Sequence, residues 1–263
     1  MAFTVNENDV AVEPMADNAT RQRLLTRSRV PDTRILLDRL NLAPCGRLGL
    51  RVAPSSLAWF QVLSGQATLD DGSQSIALDS DHIVLLPPQY QATLTSDAGA
   101  AVLYAEVADA ASLDAEFNVH PPRFRVVDWT REPVLDSKYD ARKRIYVATP
   151  NLFATKAIKG EMIIYPPGTA GADHHHEGAE HFMYVLKGAG TAYAGERRVP
   201  VRQGDLIHYD DLERHWLRAD GGGELAFVEF FVPGVYKTIW AEGAPICTWL
   251  PTGHDIRGNP AVR

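Results

Sequence analysis

The stretch Gly168-Thr169-Ala170-Gly171-Ala172-Asp173-His174-His175-His176-Glu177-Gly178-Ala179-Glu180-His181 holds four of the nine histidines of this 263-residue chain. It leads into the apolar run Phe182-Met183-Tyr184-Val185-Leu186, closed by Lys187-Gly188. In an extended strand alternate residues share a face, so His174 and His176 project together while His175 points away. His181 opens the next run on the face that Met183 and Val185 share, the face expected to look inward. His215 follows after a further pair of strands. Three or four neutral imidazoles meeting inside a barrel suit a single divalent ion: imidazole binds Fe, Ni, Zn and Cu readily, and Mn when water completes its shell.

Working outward, the chain around this stretch is written in short apolar runs broken by Gly, Pro, Asp and Ser, the grammar of antiparallel sheets. The runs fall at 47–52, 59–63, 83–86 and 101–106, and again at 160–165, 182–186, 206–209 and 225–232. The halves repeat: Trp59-Phe60-Gln61-Val62-Leu63-Ser64-Gly65 corresponds in character to Phe182-Met183-Tyr184-Val185-Leu186-Lys187-Gly188, and Ser80-Asp81 to Gly204-Asp205, at an offset of about 123 to 124 residues. Such self-similarity means one structural plan used twice. The expected organisation is an N-terminal extension over 1–35 with a short helix near 20–27, a first barrel over 36–110, a connection with an edge strand near 124–127 over 111–150, a second barrel over 151–240 and a tail over 241–263.

The two repeats differ in chemistry. The region preceding Gly65 contains no histidine, and Gln91 is aligned with His215, so the first barrel is expected to be metal-free. Hydrophobic residues make up 45% of the chain and charged residues 22%, the mix of a packed globular protein. A formal charge of −7 disfavours nucleic acid as a partner, because phosphate binding needs a basic surface. No apolar run approaches the length of a membrane span, so a cytoplasmic protein without membrane contact is expected. The two cysteines, Cys45 and Cys247, lie in different halves and read as reduced thiols.

The spacing Gly168-x5-His174-x-His176-x4-His181-x6-Gly188 resembles the first motif of the cupin superfamily, and Gly204-x5-Asp210-x-Leu212-x2-His215 resembles the second. The resemblance implies an all-β fold of two tandem cupin barrels (double-stranded β-helix or jelly-roll), a bicupin, with His174, His176 and His215 as metal ligands. His181 stands where that family has Glu, and Asp210 and Leu212 replace its Pro and Gly. An alternative register would use His175, Glu177 and His181; the spacings of Gly168 and Gly178 favour the first. One active and one silent barrel, with His at the Glu position, also resembles the ureidoglycine aminohydrolase branch over about residues 45–235, although that branch's Glu-x-His pair and Gln read differently here.

The expected cofactor is one divalent metal ion held by His174, His176, His181 and His215, with Fe or Mn favoured and Ni, Zn or Cu admissible. Four neutral ligands leave the full 2+ charge on the ion, which calls for a small anionic chelating substrate. A metal-dependent dioxygenase is the favoured reading. The alternatives are a non-redox Lewis-acid enzyme (aminohydrolase, isomerase or decarboxylase) and a non-catalytic ligand-binding bicupin. Glu180 is the candidate acid-base residue. Met162, Ile164, Met183 and Phe227 are expected to line the barrel, with Met162, Met183 and Phe227 against substrate; His208 reads as a hydrogen-bonded structural residue. Pairing of barrels among cupins implies a homodimer.

Overall fold

The computed structural model describes residues 2–262. Two compact units are formed, one from residues 7–128 and 150–155, the other from residues 1–6, 129–149 and 156–263. Both are pairs of antiparallel sheets, the jelly-roll arrangement that the cupin resemblance implies.

In the N-terminal unit the larger sheet runs, in spatial order, Arg125–Asp128, His82–Leu86, Leu57–Gly65, Ala100–Val107, Ile35–Leu42, Ala19–Leu25 and Glu13–Pro14. The smaller runs Gly46–Arg51, Gln91–Ser96, Ala67–Asp70 and Ser75–Leu78. The inward faces supply one continuous apolar core that includes Leu40, Leu48, Leu50, Val52, Ala58, Phe60, Val62 and Leu94. The expected edge strand near 124–127 is present as Arg125–Asp128, paired with His82–Leu86.

The short helix expected near 20–27 is instead the strand Ala19–Leu25. It pairs along Ile35–Leu42 with a bulge between Arg23 and Leu25, which brings both Leu24 and Leu25 to full burial. Pairing to a sheet that already has an apolar face outweighs the weak helix propensity of a seven-residue segment.

In the C-terminal unit the larger sheet runs Phe3–Asn6, Asp205–Tyr209, Glu180–Lys187, Leu225–Val232, Lys159–Tyr165, Lys143–Ala148, Val134–Ser137 and Trp249–Pro251. The smaller runs Arg197–Arg202, Ala189–Ala194, His215–Ala219, His174–Glu177 and Lys237–Trp240. Its first strand thus comes from the start of the chain, with Phe3 opposite His208 and Asn6 opposite Asp205. Asn6 Nδ2 also donates to Asp205 Oδ1 at 2.6 Å.

The repeated glycine has a shared cause. Gly65 and Gly188 have φ of 76° and 83°, and a Cβ on either would stand 2.2 Å from the Gly99 carbonyl oxygen or 1.9 Å from that of Glu224. Only glycine accepts both the left-handed backbone and the close approach.

Candidate metal centre

His174 and His176 lie on one face of the strand His174–Glu177, and His215, at the start of His215–Ala219, is directly opposite His174. Ligand nitrogens of these three all lie within 4.8 Å of one another. His181 approaches from the other sheet, with its ring centroid 5.0 Å from that of His176 and 4.6 Å from that of His215. The structure therefore brings together the four histidines of the first register. His175 turns away and faces the exposed Glu177 at 3.8 Å, so the second register does not assemble.

Hydrogen bonding orients the rings. His174 Nδ1–H donates to the Ala172 carbonyl at 2.8 Å and His215 Nδ1–H to the Glu213 carbonyl at 2.7 Å. His176 Nδ1 is 3.2 Å from the Thr238 hydroxyl. A bond at Nδ1 fixes the tautomer and leaves Nε2 as the free lone pair, the arrangement metal-ligating histidines adopt. Nε2 of His215 and both ring nitrogens of His181 are buried without a hydrogen-bond partner. Burial holds all four imidazoles below the usual histidine range, reinforced by neighbouring rings at His176, His181 and His215 and by Arg144 and Arg142 at His174, so they are neutral at pH 7. Neutral, oriented rings with unused lone pairs fit a divalent cation.

The turn before His215 carries a left-handed residue at one of its unusual positions. Leu212 adopts φ of 66° where the cupin pattern has Gly, and its N–H donates to the His176 carbonyl at 2.9 Å, tying the two ligand segments together.

A cavity of about 520 Å³ opens onto His174 and His176, with Met183 and Phe227 among its lining residues as expected. Met162 and Ile164 are absent from it. On Lys159–Tyr165 the residues facing the cavity are Lys159, Ile163 and Tyr165, so Met162 and Ile164 occupy the opposite, buried face. Glu180 also points away. It accepts a hydrogen bond from His208 Nε2 at 2.7 Å on the face of its strand opposite His181, which gives His208 the structural role expected of it and leaves the cavity without Glu180.

The ionisable wall of the cavity lies elsewhere. Arg142, Arg144, Lys159 and Glu229 line it, together with Tyr236, Trp240 and Trp249. The Arg144 guanidinium sits 4.4 Å from the Trp249 ring centre. Lys159 Nζ donates to the Tyr236 hydroxyl at 2.7 Å. Glu229 is directly opposite Glu161 on the neighbouring strand, and both are buried, at 5% and 0% exposure. Arg144 Nη2 lies 3.0 Å and Lys159 Nζ 3.2 Å from the Glu161 carboxylate. Burial alone would raise Glu161, but these two cations outweigh it and pull the group down to about 2. Burial, followed by repulsion from Glu161, pushes Glu229 well above the carboxylate range. The sequence does carry a signal for this pair: an ionisable residue on the inward parity of a strand that is apolar on both sides, as in Glu161-Met-Ile-Ile and Phe227-Val-Glu229-Phe, is rarely there without a task.

Cys45 and Cys247 are free thiols, and Arg142 Nη2 lies 2.8 Å from Cys247 Sγ. Among the described residues no helix is long and apolar enough to cross a membrane.

Comparison with known proteins agrees with this geometry. Residues 161–231 match the family model for a cupin domain. The chain is 31% identical over 67 residues to an oxalate-binding protein of Thermotoga maritima; that segment is 26% of this chain, which spans about half (55%) of the length of the curated relative. Among solved structures, protein Ylba from E. coli superposes with a TM-score of 0.72 at 12% identity over 89% of this chain and 91% of that one. A single-residue variant of the oxalate decarboxylase of Bacillus subtilis gives 0.69 at 13% identity, covering 90% and 78%. A putative glyoxylate-induced protein from Pseudomonas aeruginosa gives 0.70 at 16%, covering 87% and 88%. At these identities the likeness shows the fold alone, and it extends over both units. The residues that match the cupin-domain model, 161–231, are thus those that carry His174, His176, His181 and His215, and the fold of these solved structures extends over the whole of the chain's two-unit plan.

Proposed function

We propose that the C-terminal unit is a metal-dependent catalytic site for a small, anionic, metal-chelating carboxylate. The observation that carries this reading is the set of four neutral imidazoles, three of them buried and those of His181 and His215 with unpartnered ring nitrogens, beside a cavity lined by Arg142, Arg144 and Lys159. Each buried polar atom left unpaired costs about 1–3 kcal/mol, a penalty that a bound cation removes. His174, His176, His181 and His215 would hold the ion. When bound, a divalent metal supplies Lewis acidity toward a carboxylate or carbonyl oxygen.

The chain's own residues do the rest. The three cations bias the cavity toward anions, and the aromatic walls of Tyr236, Trp240 and Trp249 exclude water from the bound molecule. The names of the oxalate-binding relative and of the oxalate decarboxylase support a two-carbon diacid or a close analogue as the first candidate.

Between the two reaction classes, the buried carboxyl pair beside the ligand cluster favours non-redox chemistry in which a proton moves. The dioxygenase reading keeps one specific support, the all-imidazole ligand set, and stands second. The test is to express the protein with Mn(II) or Fe(II), quantify metal per chain, and assay oxalate and a panel of two- and three-carbon oxo- and hydroxyacids in an oxygen electrode. One ion per chain and turnover without O2 uptake is the expected result. Stoichiometric O2 uptake would move the assignment to the dioxygenase, and absence of bound metal would remove the catalytic reading.

A further inference from the structure

We infer that Glu229 is the proton donor of this cavity and that Glu161 is the positioning residue that keeps the proton on it. This deepens the reading of the cavity as a catalytic site and rests on it.

Placement comes first. Glu161 and Glu229 face each other across the antiparallel pair Lys159–Tyr165 and Leu225–Val232. Two carboxylates so close in a buried wall do not both ionise. The surrounding cations decide which one keeps its proton. Arg144 and Lys159 both form ion pairs with Glu161, at 3.0 and 3.2 Å, and among the described residues no ion pair within 4 Å falls on Glu229. Glu161 is therefore the anion and Glu229 the acid. The remaining groups whose fields reach Glu229 are the phenols of Tyr165, Tyr209 and Tyr236. Burial raises all three further above the usual phenol range, which makes them poorer donors near pH 7.

Access comes second. Glu229 lines the cavity with His174 and His176, whereas Glu161 does not. Glu229 shares its strand and its face with Phe231, two residues on, and the Phe231 ring packs 4.9 Å from His176 and 4.8 Å from His181. Two residues of strand span about 7 Å, so a small molecule held at the imidazoles reaches the Glu229 carboxyl. Its cross-strand neighbour on the other side is Met183, another lining residue.

Charge comes third. Before the step Arg144, Lys159, Glu161 and protonated Glu229 sum to +1. The Glu229 O–H bond breaks, and the proton forms an O–H or C–H bond at the substrate atom that gains negative charge. Glu229 is left as a carboxylate, and the four groups sum to zero. The two cations that stabilised one carboxylate now face two. Water returns the proton once product has left, and no oxidant or reductant is required.

The test is infrared difference spectroscopy of apo and Mn(II)-loaded protein at pH 7.5, with and without oxalate. A neutral carboxylic acid band is expected in the wild type, lost in Glu229→Gln because the amide keeps the shape without the acid. The band is also expected to vanish in Glu161→Gln, where Glu229 ionises beside Arg144 and Lys159. Absence of the band in the wild type, or its persistence in Glu229→Gln, overturns the assignment without use of any variant's activity. On a substrate that turns over, Glu229→Gln is expected to lower kcat by about 10² to 10⁴-fold with KM within about twofold and metal content unchanged, and Glu161→Gln to shift the alkaline limb of the pH profile downward. An unchanged kcat in Glu229→Gln also overturns it. Loss of metal from the wild type with the band intact would instead count against the metal site alone.

Discussion

At the place where His174 pairs with His215 in the C-terminal unit, the N-terminal unit pairs Leu50 with Ala92. The neighbouring equivalents follow suit: Val52 for His176, Ala58 for His181 and Phe60 for Met183. The sequence alone aligns Gln91 with His215; the strand pairing puts Ala92 there, because Gln91 pairs with the exposed Arg51 on the outer parity. One interior is thus closed by Leu, Val and Phe, and the other is kept open by histidines. The two scaffolds share the order of their common strands, so the difference lies in inward side chains and in the two added strands of the C-terminal unit, Lys237–Trp240 and Trp249–Pro251, which contribute Thr238, Trp240 and Trp249 to its cavity. On the wall beside the ligand positions polar groups pair in each unit: Asp38 and Tyr104 pair where Glu161 and Glu229 do. The N-terminal unit has ionisable groups on its wall, while the positions equivalent to the histidines are apolar.

The largest expected effect separates the units by metal. His215→Ala should lower metal affinity by more than about 100-fold, since losing a ligand exceeds the 10 to 100-fold cost of losing a ligand's partner. Ala92→Val, at the equivalent place, should leave the metal-to-protein ratio unchanged; elemental analysis of both after dialysis checks the contrast. The next effect concerns packing. Phe60→Ala should destabilise by about 3–5 kcal/mol because it empties a filled core, whereas Met183→Ala, which borders a cavity, should fall at the low end of about 2–5 kcal/mol. Urea midpoints measure both, and equal losses would mean the two interiors are not different in kind.

A smaller effect is expected from Thr238→Val. Removing the hydroxyl beside His176 Nδ1 should weaken metal binding about 10-fold without changing the stability read from urea unfolding by more than about 1 kcal/mol. Competition with a chelator reads the first quantity. The smallest is a pH effect in the N-terminal unit. Burial raises Asp38 to about 6, opposed by Arg21 and Arg23 and helped by Glu13 and Glu106. A raised acid binds its proton more tightly in the folded state, so its stabilising contribution is complete below about pH 4 and is lost as the pH climbs through 6. Asp38→Asn should therefore leave stability at pH 4 little changed and raise it at pH 8 by something of order 1 kcal/mol, as denaturation at the two pH values would show.

Much of the fold was legible because the repeat, the turn residues and the period of the apolar runs all point the same way. The four histidines were legible because their spacing sets parity within one strand. What escaped depended on register between strands. Met162 and Ile164 sit one residue off the inward parity, and a one-residue difference moves a side chain to the other face. Glu180 is adjacent to His181 in sequence and opposite to it in space for the same reason. Arg142 and Arg144 lie in a stretch that reads as a polar connection, and nothing local shows that Arg144 would pair opposite Ile163 and reach Glu161. Ala19–Leu25 became a strand through a partner that its own composition does not reveal.

The pairing of Phe3–Asn6 with Asp205–Tyr209 imposes an order on biosynthesis. Phe3–Asn6 cannot dock until its hydrogen-bonding partner, about 200 residues downstream, has been made. At translation speeds of roughly 5–20 residues per second that edge waits about 10 to 40 seconds. During that interval the backbone groups of Phe3–Asn6 have no partner strand, a state open to pairing with a neighbouring chain.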